Sequence, residues 1–300
     1  MRGLKILLII GLLSAGPQIV GFAKHAAGHE SRILPLVVLS FNIRIDNPKD
    51  GENAWPNRKA HVADLIRFHQ SDLIGMQEVR PVQIEDLEAA LPDYHWYGVG
   101  QNDGKVPGSG SHNAIFFRKD RFQPIQQGAF WCSETPETPS LGWDATNKRT
   151  VSWLKLEDTR NGREFYIFNT HFSHMSELAR NESASLLKRR IDQIVAPETQ
   201  PVIVTGDFNA PPGTVPYETM ISTKTSLIHL LDAGDQSETG RYGPKGTMNR
   251  FDITRVPEQP IDYIFVSNSI SVKRFGILSD SLNGRLPSDH YPVLAELQFR

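Results

Sequence analysis

Short apolar runs of strand length recur along this chain, and in several places one follows another with no helix-length stretch between them. This constrains the fold more than any other feature. Strict alternation of strand and helix builds one parallel sheet covered on both faces, whereas consecutive strands demand hairpins and mixed sheets. The runs at 112–118 and 122–129 are separated by three residues, and those at 150–156 and 164–170 flank Arg160-Asn161-Gly162, an Asn-Gly hairpin signal. The expected architecture is α/β of the α+β kind: two mixed β-sheets packed together with helices outside, in one domain.

The remaining elements fit around this frame. Further strands are expected at 36–42, 72–77 (ending at Glu78), 94–99, 202–206, 261–267, 271–277 and 293–299. Helical spacing marks 58–69, with Val62, Leu65, Ile66 and Phe68-His69 as its apolar stripe, then 82–90 and 176–195. In the last of these Leu178, Ser185-Leu186, Ile191 and Ile194 share a face. Residues 217–231 read as an irregular helix; 43–57, 100–111, 131–148, 234–259 and 286–291 read as loops.

Arg2 and Lys5 precede the apolar run 6–13, and small residues follow through Ala23. That is the layout of a cleavable export signal, too short to span a bilayer as a mature helix, which needs about 20 apolar residues. The expected organisation is a signal over 1–23, a polar lead-in over 24–35 and one domain over 36–300, secreted or periplasmic, with no stable membrane insertion. Without Arg2 and Lys5 the chain holds 30 basic residues against 34 acidic, so it lacks the global positive field that gathers long nucleic acid. The single cysteine, Cys132, excludes an intrachain disulfide.

Six strand exits or adjacent loops each present a polar group: Asn42, Glu78, His171, Asp207 with Asn209, Asp262, and Asp289-His290. In the run 202–211, alternation along extended backbone sets Asp207 and Asn209 on one side and Phe208 on the other. Each group taken singly is ordinary turn or core chemistry. Six together point to a site at one end of the sheets, where enzymes gather side chains from several strands. Glu78 and Asp289 are hard oxygen donors suited to Mg²⁺, Mn²⁺ or Ca²⁺, and His290 becomes an acid/base group if a carboxylate such as Asp262 orients it.

In this order and rough spacing, Ser-Phe-Asn at 40–42, Gln-Glu at 77–78, Asn-Thr-His at 169–171, Gly-Asp-Phe-Asn at 206–209, Ile-Asp-Tyr-Ile at 261–264 and Ser-Asp-His at 288–290 resemble the endonuclease/exonuclease/phosphatase superfamily. The stretches 47–55 and 133–136 are similar to a poorly characterised secreted bacterial branch of it. The resemblance implies a four-layer sandwich and a Mg²⁺-dependent phosphoester hydrolase, with Mn²⁺ as a substitute. It implies Glu78 as principal metal ligand with Asn42 and Asp289 close by. Asp207 would position and deprotonate water, Asn209 would hold a phosphate oxygen, and His171 would contact the phosphate or assist the leaving group. His290, oriented by Asp262, would act as acid/base or stabilise charge, and either it or Asp207 serves as the base.

The expected substrate is a phosphorylated small molecule, diester or monoester, with nucleic acid as the alternative and a non-catalytic binding module as the reading from another class. No protein partner is inferable. Lys105, Lys245, Arg250 and Arg44 are candidate rim cations, and Trp55, Trp131 and Trp143 are aromatics that either stack on a ligand or pack inside.

Overall fold

The computed structural model describes residues 35–300 apart from 196–199 and 225. The expected signal and almost all of the lead-in lie outside the described residues. Thirteen strands form two sheets among the described residues. The first sheet contains β1 (Leu36–Asn42), β2 (Leu73–Val79), β3 (Tyr94–Tyr97), β4 (His112–Arg118), β10 (Arg241–Tyr242), β12 (Ile270–Ile277) and β13 (Val293–Phe299), in the order β10-β12-β13-β1-β2-β4-β3. The second contains β5 (Phe122–Trp131), β6 (Thr150–Asp158), β7 (Arg163–His171), β8 (Val202–Asp207), β9 (Leu230–Asp232) and β11 (Asp262–Ser267), in the order β5-β6-β7-β8-β11-β9. Both are mixed: β1–β2 and β7–β8 pair parallel, and β13, β4, β6 and β11 flank them antiparallel.

Three apolar clusters define four layers. Side chains alternate along each strand, so Val38, Leu73 and Ile115 meet Leu154, Ile167 and Ile203 between the sheets. Their neighbours Leu39, Phe41, Ile74 and Phe116 pack outward against α1 (Trp55–Phe68) and α2 (Pro81–Ala90). On the opposite side Tyr166, Phe168, Val204 and Phe265 pack against α3 (Glu177–Val195) and α4 (Val215–Ile221).

Several expectations need correction. The 43–57 loop contains a 3-10 helix at Pro48–Asn53, and α1 starts at Trp55, because Pro56 suits the first helical turn and Trp55 fills the outer core. The stripe of α1 stops at Ile66: Phe68, its last residue, is 78% exposed. In α3, Leu178 faces solvent, and burial runs through Ala179, Ser183, Leu187 and Ile191. Helix α4 ends at Ile221, and Leu230–Asp232 is an edge strand instead, since β11 pairs with it. The 234–259 loop carries the end of a one-turn helix, α5 (Ala233–Gln236), and the short strand β10.

Candidate active site

The facing surfaces of the two sheets change character along their length. Moving up alternate positions, Val38 gives way to Ser40 and Asn42, Leu73 to Gly75 and Gln77, Ile167 to Asn169 and His171, and Ile203 to Thr205 and Asp207. Antiparallel β4 and β11 enter at this end, with Asn113 and Asp262. The facing surfaces are oil through the middle of the sandwich and become a polar floor at this end. Gln77 donates to Asn169 Oδ1 at 2.7 Å, Thr205 Oγ1 to the same oxygen at 3.1 Å, and Gly206 N to Ser40 Oγ at 3.0 Å. The sheets approach so closely here that a Cβ on Gly75 would sit 1.9 Å from Thr205 Oγ1, which only glycine avoids.

Asp207 tops this floor. Its Oδ2 accepts from Asn42 Nδ2 at 2.9 Å and its Oδ1 from Asn209 N at 2.9 Å. The strand ends at Asp207, so Asn209 is not placed by extended alternation. It sits in the left-handed region at φ 48° and turns back into the site. Asn209 Nδ2 donates to Phe172 O at 3.2 Å and lies 3.0 Å from His171 Nε2. A carbonyl only accepts, so the amide nitrogen is correctly placed there, and His171 Nε2 must be an acceptor with its proton on Nδ1. Both amide protons are engaged, so Asn209 here braces His171 rather than reaching for a phosphate oxygen. Burial, with Arg149 and His290 nearby, holds His171 well below the usual histidine range and hence neutral.

Glu78 reaches the site through a bulge. Met76 pairs with Ala114 and Val79 with His112, so Gln77 and Glu78 together oppose the single residue Asn113. Met76 and Val79 therefore both face the outer core, and Glu78, at φ 68°, is swung away from it. Its carboxylate accepts from Asn42 Nδ2 at 3.4 Å and Ile45 N at 3.0 Å, and lies 4.0 Å from His171 Nδ1. Asp289 and His290 come from a loop clamped by its neighbour: Asn249 N and Arg250 N donate to Asp289 O at 2.8 and 2.9 Å, and Tyr291 N to Thr247 O at 2.7 Å. His290 Nδ1 lies 2.8 Å from Asp262 Oδ2 and 3.9 Å from Asp207 Oδ2. All eight residues marked in the sequence thus gather at one rim.

The charges are unequally balanced. Burial, helped by the charge of Asp262, pushes Asp207 up to about 7 against the pull of His290 and its two N–H donors. Burial alone would lower His290, but Asp262 and Asp207 outweigh it and hold the imidazole well above its ordinary value. Asp289 is raised by burial and by the like charge of Glu78.

Divalent-metal chemistry fits this donor set. Asp207, Asp262 and His290 offer ligand atoms all within 4.8 Å of one another, and Asp262 Oδ1 is buried with no partner among the described residues. An ion inside that trio would displace the 2.8 Å His290–Asp262 hydrogen bond. A cation between Glu78 and Asp289, beside Asn42, would instead relieve two like-charged carboxylates, and hard oxygens are the donors Mg²⁺ and Mn²⁺ prefer.

At the rim the structure separates the alternative readings of the tryptophans and cations. Trp55 is buried with its Nε1 on Asp86 Oδ2 at 2.8 Å, and Trp131 is buried with its Nε1 on Gln101 O at 2.8 Å, so neither is a stacking platform; Trp143 stays half-exposed. Arg44 is chelated by Asp50 at 2.9 and 3.0 Å. Sequence reasoning missed Arg58, which ties the two loops beside the site. It donates to the carbonyls of Ile43, Arg44, Ile45 and Asn53 and, at 3.1 Å, to Pro287 O, and burial pulls it down to about 10. It also missed Arg149 and His174, whose fields act on His171; the expected rim loop ends one residue earlier, at Lys148.

The sequence matches the Endonuclease/Exonuclease/phosphatase family over residues 39–290. The structure is similar to a mannosyl-6-phosphatase from Bacteroides thetaiotaomicron, with a TM-score of 0.83 and 39% identity over 88% of this chain and all of that one. Among curated proteins, the chain is 27% identical to mouse nocturnin over 86% of its own length. It is 25% identical to the CCR4-Not complex 3'-5'-exoribonuclease subunit Ccr4 of Saccharomyces cerevisiae over 82% of its length. It spans only 63% of that nocturnin and 35% of that Ccr4.

Proposed function

The chain belongs to the endonuclease/exonuclease/phosphatase family, and from that premise we propose that it hydrolyses a phosphate ester on a small molecule, by metal-assisted attack of water on phosphorus. The observation that carries this is the convergence of Asp207, His290–Asp262, His171 and Glu78 at one rim, within 4.0 Å of one neighbour or another.

Asp207 takes the proton from water. Held by Asn42 and the Asn209 amide, it keeps a fixed direction, and a carboxyl pushed up to about 7 is poised for proton transfer near neutral pH. His290, protonated beside Asp262, stabilises charge building on the phosphoryl oxygens and gives its proton to the departing alkoxide. Neutral His171 presents Nδ1–H on the Glu78 side, a donor for a phosphoryl oxygen. A bound Mg²⁺ or Mn²⁺, held by Glu78, Asp289 and Asn42, would supply Lewis-acid neutralisation of phosphoryl charge. Export by the N-terminal run, giving a secreted or periplasmic enzyme, is part of the same proposal.

A nuclease is the second reading, supported by the matches to nocturnin and Ccr4. The higher identity and full coverage of the mannosyl-6-phosphatase, with a net charge of −2 for the chain, favour the small ester. A panel of sugar phosphate, phosphodiester, phospholipid, RNA and DNA, each with Mg²⁺, Mn²⁺ or chelator, tests this. The expected result is metal-dependent release of phosphate from a small ester. RNA shortening without small-ester turnover would transfer the site to the nuclease reading, and inactivity throughout would leave a binding module.

A further inference from the structure

Arg149 carries a charge that the chemistry above leaves unused. It is half-buried where the 132–149 loop enters β6, and its Nε is shut from water with no hydrogen-bond partner among the described residues. The one hydrogen bond of the guanidinium among them runs from an Nη to His174 Nδ1, at 3.3 Å. A guanidinium only donates, so Nδ1 accepts, and His174 carries its proton on Nε2, a second donor on the far side of the ring. Burial works against the Arg149 charge while Glu78 and Asp207 support it through space, which places the guanidinium in the field of the site without an ion-pair contact to either.

The neighbouring guanidiniums are different. Arg44 is chelated by Asp50, and Arg58 is surrounded by carbonyls. Leaving a half-buried guanidinium without an anion is unfavourable unless a ligand supplies one. The planar fork of an arginine matches two phosphate oxygens at once. A phosphomonoester near neutral pH carries about 1.5–2 negative charges, and a diester carries one. The extra charge is what an uncommitted guanidinium at this rim can distinguish.

We propose that Arg149, braced by His174, is a specificity-determining residue that grips the second negative charge of a terminal phosphate, so that the site selects phosphomonoesters over diesters. This rests on the phosphoester reading above. The test compares kcat/KM on p-nitrophenyl phosphate and bis(p-nitrophenyl) phosphate for the native protein, Arg149→Met, Arg149→Lys and His174→Gln, with inhibition by inorganic phosphate and thermal melts alongside. Arg149→Met is expected to lose about 100-fold on the monoester and about 10-fold or less on the diester, mostly through KM, with phosphate inhibition weakened in parallel. Arg149→Lys and His174→Gln should shift the same ratio by a smaller factor, and Arg149→Lys decides the matter if Arg149→Met does not fold. Equal losses on both esters, or no loss, would overturn the proposal while leaving the phosphoester reading in place. Failure of the native protein to hydrolyse these two esters and every member of the panel above would overturn that reading, and this one with it.

Discussion

The two ends of the sandwich both bury charge, and they bury it differently. At the end where β1, β2 and β7 begin, Arg121 lies between Asp72 and Asp158 at 2.7 and 2.9 Å, and the carboxylates also accept from Val37 N at 2.8 Å and Arg160 N at 3.1 Å. Opposite signs alternate and backbone donors complete the set. At the other end Asp207, Asp262, Glu78 and Asp289 gather at one rim, Asp262 Oδ1 has no partner among the described residues, and the charge of Asp262 raises Asp207 as that of Glu78 raises Asp289. A satisfied cluster closes the structure; an unsatisfied one waits for a ligand. Five of the eight non-glycine residues with positive φ among the described residues, namely Arg44, Glu78, Asn209, Arg250 and Phe251, sit in or beside the loops of the second cluster, in keeping with strain held at a working site.

If that contrast is right, mutations at the two ends separate activity from stability. The largest effect belongs to Asp207→Asn. Its kcat/KM on the best ester is expected to fall about 10²- to 10⁴-fold, the usual contribution of a positioned base, while the melting temperature stays level or rises, because a crowded carboxylate has gone. A fall in melting temperature that tracks the lost activity would erase the distinction. Arg121→Met should do the reverse. Removing one member of a buried ion cluster leaves two carboxylates facing each other and costs about 3–5 kcal/mol, read by denaturant titration, with kcat/KM per folded molecule unchanged. A mild loss there would mean the closing end is less committed to its charges than its geometry implies.

How much of this contrast was readable in the chain depends on which residues are asked. Strands β1, β4 and β13 were legible to their ends, since apolar runs bounded by polar or turn residues need no tertiary information. The polar residues at the strand exits were legible as a set for the same reason, and the layered, two-sheet fold followed from consecutive strands. The aim of Glu78 was not legible: a strand ending at Gln77 says nothing of a bulge, which exists only relative to the register of β4. The turn at Asn209 was read as extended alternation, because left-handed backbone leaves no mark on periodicity. Whether Trp55 and Trp131 stack on a ligand or pack inside was not legible, because position in a loop carries no record of burial. Arg149 was invisible for a different reason: a guanidinium is noticed by what it lacks, and only the packed structure shows that no carboxylate among the described residues came to meet it.

The smallest expected effect is a pH dependence, and it probes the same contrast from within a single carboxyl group. In the native state Asp207 is raised to about 7, well above its value of 3.8 in an unfolded chain. Below pH 3.8 both states hold the proton and there is no penalty. As pH climbs from there towards 7 the unfolded chain releases its proton first, so the native state loses relative stability, and above about 7 the loss is complete. Asp207→Asn abolishes this term. Its melting temperature should therefore exceed that of the native protein by a few degrees at pH 8 and converge with it as pH falls below 4, both measured in chelator so that no bound cation favours the carboxylate. His290 slopes the same way: its raised imidazole contributes stability that is full below the ordinary range and fades as pH climbs through the folded value, and its pair with Asp262 survives in the variant. The same proton governs the rate: kcat/KM of the native enzyme should climb with pH through about 7 as Asp207 becomes a base, and the Asn variant should lack that limb. A variant that melts lower than the native protein at pH 8 would show that the crowded carboxylate stabilises its end of the sandwich, as Asp158 does at the other, and the two ends would no longer differ in kind.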